Sequence, residues 1–184
     1  MKRKSAREIL AEAFREVAET KSIDKITVKD ITTSCGYSQA TFYRQFKDKY
    51  DLIAWDYAQS VSSIMDRIGP DGLTWNMLLV EFAEHYDRDR AYLANLLQHT
   101  GGQDSFIQYM SDINYRAMLS LIQNVSGMEE LPENTVMYIR FYCLGSVCLT
   151  CEWILGKYRA SPRELADVFL RTLPAPLQTY LEGK

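Results

Sequence analysis

A chain of 184 residues with 47% hydrophobic, 12% aromatic and 24% charged residues carries enough apolar material for a packed core and is not composed like a disordered segment. Its net charge of −3 excludes a general polyanion binder, yet that charge is unevenly spread. Residues 1–50 carry 11 Lys and Arg against 7 Asp and Glu, a net +4, whereas residues 51–184 carry 10 against 17, a net −7, so only the head is suited to meet phosphate.

The N-terminal stretch MKRKSAREILAEAF has basic residues but no apolar run like that of a signal peptide, because Glu8, Glu12 and Glu16 interrupt it. Ile9, Leu10, Ala13, Phe14, Val17 and Ala18 form one apolar stripe at helical spacing, and Ser5 with Glu8 is a capping-box start. Thr27 with Asp30 predicts a second capping box, opening a short helix through about Ser34. Cys35-Gly36-Tyr37 reads as a turn, with Gly36 free to take a positive φ. Ser38 then caps a helix to about Phe46, and Asp48 starts a long helix ending near Gly69-Pro70. Further helices are predicted near 74–86, 89–98, 103–125, 133–157 and 162–173, punctuated by Gly101-Gly102, Gly127, Pro132 and Ser161-Pro162, with Pro174 and Pro176 closing the last. No strand-like alternation persists. The expected fold is all-α, with a three-helix head over residues 1–50 and a helical body over 51–184.

The most apolar stretch, Val136 to Leu155, contains Arg140 and Glu152 and reads as a buried helix rather than a membrane span. The four cysteines (35, 143, 148 and 151) make no disulfide framework in a chain of this size, which points to reduced thiols and a cytoplasmic location. Cys148-x-x-Cys151 lacks a second Cys or His pair, so a zinc site is not expected; a thiol redox switch is the alternative to plain packing. Neither His85 nor His99 sits in a catalytic, metal-binding or phosphate-loop pattern, so no enzyme, metal or cofactor is expected.

Residues 27–49 are two short helices joined by a glycine-containing turn, the signature of a helix-turn-helix whose second helix enters the major groove of double-stranded DNA. Val28, Ile31, Tyr37, Phe42 and Phe46 are expected to pack the unit, leaving Ser38, Gln39, Thr41 and Arg44 exposed with Tyr43 to one side. Thr27 lies at a helix N-terminus that favours an anion, and Lys49 lies in the first turn of a helix, where a cation makes better sense beside phosphate. Lys29 joins this set as an exposed cation. A head this small makes few base contacts, so the body is expected to dimerise and place two heads on a palindromic site. Segments 136–155 and 165–173 supply the interface candidates, through Phe141, Leu144, Val147, Leu165, Val168 and Phe169 among others.

The string KITVKDITTSCGYSQATFYRQFKDKYDLI resembles the DNA-binding region of the tetracycline-repressor (TetR) family of transcriptional regulators, through Thr27, Ile31, Gly36, Ser38, Thr41, Phe42, Tyr43, Phe46, Lys49 and Leu52. The resemblance covers about residues 5–60. It implies that Thr27, Thr41, Tyr43 and Lys49 touch phosphates and that Ser38, Gln39, Ala40 and Arg44 face the groove; Ala40 stands where relatives often have Gly. It also implies a homodimer and an effector pocket inside the body, where Phe82, Tyr86, Phe106, Tyr109, Met110, Tyr138 and Tyr142 are the candidates, with Trp75, Tyr115 and Met118 beside them. The sub-string FKDKYDLIAWDY resembles the branch that includes the dihydroxyacetone-kinase activator, which works with a protein co-regulator. The expected function is a ligand-responsive repressor; the rival is a co-activator that answers to a partner protein rather than a small molecule.

Overall fold

The computed structural model describes residues 4–68, 73–99 and 103–181, without the side chains of 103–105. Gly69-Pro70 and Gly101-Gly102, expected as boundaries, lie outside them. Among the described residues ten α-helices follow one another: α1 (Ala6–Ala18), α2 (Val28–Cys35), α3 (Gln39–Gln45), α4 (Lys49–Met65), α5 (Trp75–Arg88), α6 (Arg90–His99), α7 (Gln103–Ser126), α8 (Glu133–Ile154), α9 (Pro162–Arg171) and α10 (Ala175–Leu181). The fold is all-α, with a helix-turn-helix head and a helical body. A 3-10 turn, Ile23–Lys25, links α1 to α2.

The head's helices start where short polar side chains satisfy free N–H groups. Ser5 with Glu8 and Thr27 with Asp30 both form complete capping boxes, and Ser38 caps α3 through Thr41 N–H. Gly36 ends α2 at φ 72°, a left-handed conformation that glycine adopts without a Cβ penalty. Leu10, Phe14, Ile31 and Phe42 are completely buried between α1, α2 and α3, with Phe46 closing the end. In the body, α7 packs along α8, α5 along α9, and α4 bridges α1 and α7. One hydrophobic core runs without interruption from Leu10 in the head to Leu181 in α10.

Polar clasps join head to body. The Arg15 guanidinium of α1 donates to Asp56 of α4 at 2.8 Å and to Asp89, ahead of α6, at 2.6 Å. Burial alone would lower its pKa, but the two carboxylates outweigh burial and keep it fully charged. Asn95 of α6 donates to Ala18 O and Lys21 O and accepts from Ile23 N–H, so one amide stitches α6 to the end of α1. Arg90, also on α6, caps the end of α8 by donating to Trp153 O at 2.6 Å while stacking 4.0 Å from the Trp153 ring.

The helix α10 departs from the expectation that Pro174 and Pro176 end the chain's last helix. Pro176 stands in the first turn of α10, where a missing N–H costs nothing, so proline starts this helix rather than preventing it. Among the described residues no helix is long and apolar enough to cross a membrane.

Candidate nucleic-acid interface and effector cavity

On α3, Ser38, Gln39, Ala40, Tyr43 and Arg44 are exposed together, and Thr41 is half-buried. The polar members are pre-set by one another. The Ser38 and Thr41 hydroxyls are 3.0 Å apart, and Arg44 Nη2 donates to Thr41 Oγ1 at 3.2 Å. Tyr43 is 58% exposed with its ring set edge-on to Phe42, so a buried neighbour aims an exposed phenol outward. Thr27 is exposed at the start of α2, and Lys29 is exposed one residue into that helix. The Thr27 hydroxyl donates to Asp30 Oδ2 at 2.7 Å; Lys21, at 2.7 Å, together with Thr27 holds the Asp30 carboxyl far below the usual carboxylate range.

Lys49 is placed differently from its companions. Its ammonium donates to Ile23 O at 2.7 Å, Asp24 O at 2.9 Å and Ile26 O at 2.9 Å, so all three N–H bonds end on carbonyls of the 3-10 turn and of Ile26 just after it. Burial lowers its pKa, against the opposing pull of Asp24. The physical reason is local: Ile23 O already accepts from Ile26 N–H, but one 3-10 turn closes few of its own bonds, and a cation at the start of α4 supplies further donors. Lys49 is thus a clasp between α4 and the segment before α2. The sequence reading overlooked Arg7, whose Nη2 donates to Gln45 O at 3.0 Å and whose guanidinium lies 5.2 Å from the Phe46 ring, fixing the far end of α3 to α1. No local pattern announces that contact, because 38 residues separate its partners.

In the body, a cavity of about 80 Å³ lies between α4, α5, α7, α8 and α9. Of the candidates, Phe82, Tyr86, Met110 and Tyr142 line it, as do Trp75 and Met118. Phe106 is buried but does not line the cavity; Tyr109 and Tyr138 are 39% and 40% exposed. Tyr115 is half-buried beneath the Arg140 guanidinium. These four share helices with true lining residues but not their faces, which the presence of an aromatic alone does not reveal. The sequence reading missed Tyr57, Val61 and Met65 of α4, Asn114 of α7, and Ser146 and Thr150 of α8. Tyr57 O–H donates to Asn114 Oδ1 at 3.2 Å and stands 3.3 Å from the Tyr86 hydroxyl. Burial pushes the Tyr57 phenol well up and that of Tyr86 to about 12, so both stay protonated.

The outer face of α8 carries an apolar stripe. Phe141 is 77% exposed and Met137 67%, with Leu144 beside them and Val168 of α9 also exposed. Leu165, Phe169, Leu173, Val147 and Ile154, which the sequence placed among the interface candidates, are instead buried in this subunit's own core. Among the described residues no group of three or more His, Cys, Asp and Glu could hold a metal ion. Burial raises the Cys143 and Cys151 thiols to about 12, which keeps both protonated and unreactive at neutral pH.

Two family profiles match the sequence: "Bacterial regulatory proteins, tetR family" over residues 9–54, and "Transcriptional regulator C-terminal region", of the same family, over residues 74–174. No curated protein matches the sequence significantly. Among solved structures, the fold is similar to that of the dihydroxyacetone kinase operon activator DhaS, at TM-score 0.69 and 16% identity, covering 96% of this chain and 98% of that one. It is also similar to a TetR transcriptional regulator from Streptococcus agalactiae, at TM-score 0.61 and 17% identity over 91% and 93% of the two chains. A third similar structure is the repressor FadR of Thermus thermophilus in complex with lauroyl-CoA, at TM-score 0.61 and 15% identity over 91% and 92%. The second profile alone spans more than half of the chain, and the two fall on the head and the body just described. This chain belongs to the TetR family of transcriptional regulators.

Proposed function

We propose that the protein is a homodimeric, ligand-responsive repressor that holds a palindromic operator through its two α3 helices and releases it when a small molecule enters the body cavity. The observation that carries this reading is the course of α4. At its first residue Lys49 is clasped to the head, and two to four turns later Tyr57, Val61 and Met65 form a wall of the cavity. A rigid helix of this length, about 25 Å, turns a shift at the cavity into a displacement of the head. A ligand acts in this way only if it binds the released state more tightly than the DNA-bound one.

In this reading Ser38, Gln39, Ala40 and Arg44 face base edges, and Tyr43, Thr41, Thr27 and Lys29 meet phosphates. Lys49 acts by holding the head together, since its three N–H bonds are already used. The dimer forms through Met137, Phe141 and Leu144 of α8 with Val168 of α9, an exposed apolar stripe that a second copy would cover. The presence of a cavity favours a small-molecule effector over the rival, a protein co-regulator acting on a closed body.

Replacing Phe141 with Glu tests the dimer. Sedimentation is expected to show a folded monomer with operator affinity reduced at least tenfold, because a single head makes few contacts. A dimer of unchanged affinity would refute that face.

A further inference from the structure

Resting on the reading of the cavity as the effector site, we propose that its ligand is a small, electrically neutral, mostly apolar molecule of about one ring, presenting one hydrogen-bond acceptor to Trp75 Nε1. None of the described lining residues is Lys, Arg, His, Asp or Glu. A carboxylate or phosphate seated there would lose its water and meet no cation, which is prohibitive in an apolar enclosure.

The hydroxyl protons around the cavity are already committed. Tyr57 donates to Asn114 Oδ1 at 3.2 Å, which leaves its oxygen to accept from the Tyr86 hydroxyl 3.3 Å away. Tyr142 donates to Phe169 O at 2.9 Å, Ser146 to Tyr142 O at 2.6 Å and Thr150 to Ser146 O at 2.8 Å. Trp75 differs. Its side chain is buried, with 5% exposure for the residue, and its indole N–H meets no acceptor in hydrogen-bonding geometry. The N–H lies close enough to the Tyr142 hydroxyl to restrain that phenol's burial-driven rise in pKa, without forming an aligned bond. A buried donor left unpaired is costly, so a ligand oxygen that accepts this proton gains the bond the protein does not supply. The same positive N–H end repels a cation, for which the aromatic walls would otherwise be suited.

Size narrows the class further. At about 80 Å³ the cavity is smaller than the apolar cavity of about 150 Å³ that admits benzene in a protein core. Met65, Met110 and Met118 border it, and their unbranched thioether chains change rotamer readily, so a single ring enters by moving methionines.

Isothermal titration of the full chain with benzyl alcohol, toluene, benzoate and benzylammonium keeps the ring constant and varies only the polar group. Benzyl alcohol is expected to bind, toluene at least tenfold more weakly, and the two ions not at all. Trp75→Phe keeps an aromatic ring and removes the N–H; it is expected to weaken benzyl alcohol about tenfold and leave toluene unchanged, a split that general loosening of the fold would not give. The proposal is overturned if either ion binds as tightly as the alcohol, if Trp75→Phe binds benzyl alcohol like the wild type, or if none of the four binds. Operator release, followed by fluorescence anisotropy, keeps the two readings apart. Binding of benzyl alcohol through Trp75 without any change in operator affinity would sustain the ligand chemistry and sink the effector role. Release by benzoate alone would do the reverse.

Discussion

The exposed polar face of α3, proposed to read DNA, and the cavity of the body are held in opposite ways. Everything that sets α3 lies close by in the chain: the Thr27–Asp30 box, the left-handed Gly36, the Ser38 cap and the Arg44–Thr41 bond fall within 18 residues. Beneath it Phe42 is completely buried, Arg7 pins the end of α3, and Lys49 holds the segment before α2. The cavity, by contrast, is assembled from five helices between Tyr57 and Phe169, is bordered by three methionines, and leaves a buried indole N–H unpaired. A surface that reads DNA gains specificity from rigidity, whereas a switch needs a region whose packing is left incomplete. On the proposed reading the molecule separates these requirements and joins them through α4.

That contrast can be broken most sharply by truncating one ring in each region, the buried Phe42 of the head and the half-buried Phe82 at the cavity. Phe42→Ala should destabilise the protein by about 3–5 kcal/mol in chemical denaturation and abolish DNA binding, because a tightly filled head cannot collapse around the void. Phe82→Ala only enlarges an existing cavity and should cost about 1–2 kcal/mol. Equal losses would contradict the idea that the body is the loosely packed partner.

Removing the Lys49 clasp should cost about 2 kcal/mol, since three carbonyls lose a charged donor. Lys49→Ala should therefore lower the denaturation midpoint as well as operator affinity. Weaker DNA binding at unchanged stability would restore Lys49 to the phosphate contacts. Tyr43→Ala should show the opposite pattern. Its ring is exposed, so stability should stay within about 0.5 kcal/mol of wild type while affinity falls for all sequences at unchanged salt dependence, because a neutral phenol releases no counterion.

The smallest expected effect concerns pH at the head–body clasp. Burial lowers the His85 pKa below its ordinary value of 6.5, with Asp89 partly opposing and Arg15 reinforcing the shift. The unfolded chain then takes up a proton that the folded one refuses. Stability should decline as pH falls below 6.5 and level off once pH is below the folded-state value. His85→Gln should remove that part of the decline when midpoints at pH 7.5 and 5.5 are compared; an identical decline in the variant would assign it to other groups.

Legibility followed the range of the interactions. Capping boxes, the Gly36 turn and the exposed faces of α2 and α3 depend on spacings of three or four residues, and the sequence displays them directly. The family resemblance came from those same residues. The cavity wall does not depend on such spacings. Tyr138 and Tyr142 are one helical turn apart, yet one is exposed and the other lines the cavity, a difference fixed by what packs against α8. Lys49, Arg15 and Asn95 look like ordinary surface polar residues until partners 23–77 positions away supply the carbonyls and carboxylates they bind. Proline was misleading at α10 for a simpler reason, being a helix breaker in the interior and a helix starter in the first turn.

The central claim, that a dimer reads DNA through α3, is tested most directly by selecting binding sites from random-sequence duplexes with the wild type and with Arg44→Ala. The account predicts enrichment of an inverted repeat with half-sites about one helical turn apart. Arg44→Ala should bind that site at least tenfold more weakly, with relaxed preference at one base pair of each half-site. No enrichment by the wild type, or an identical motif bound equally well by Arg44→Ala, would contradict it.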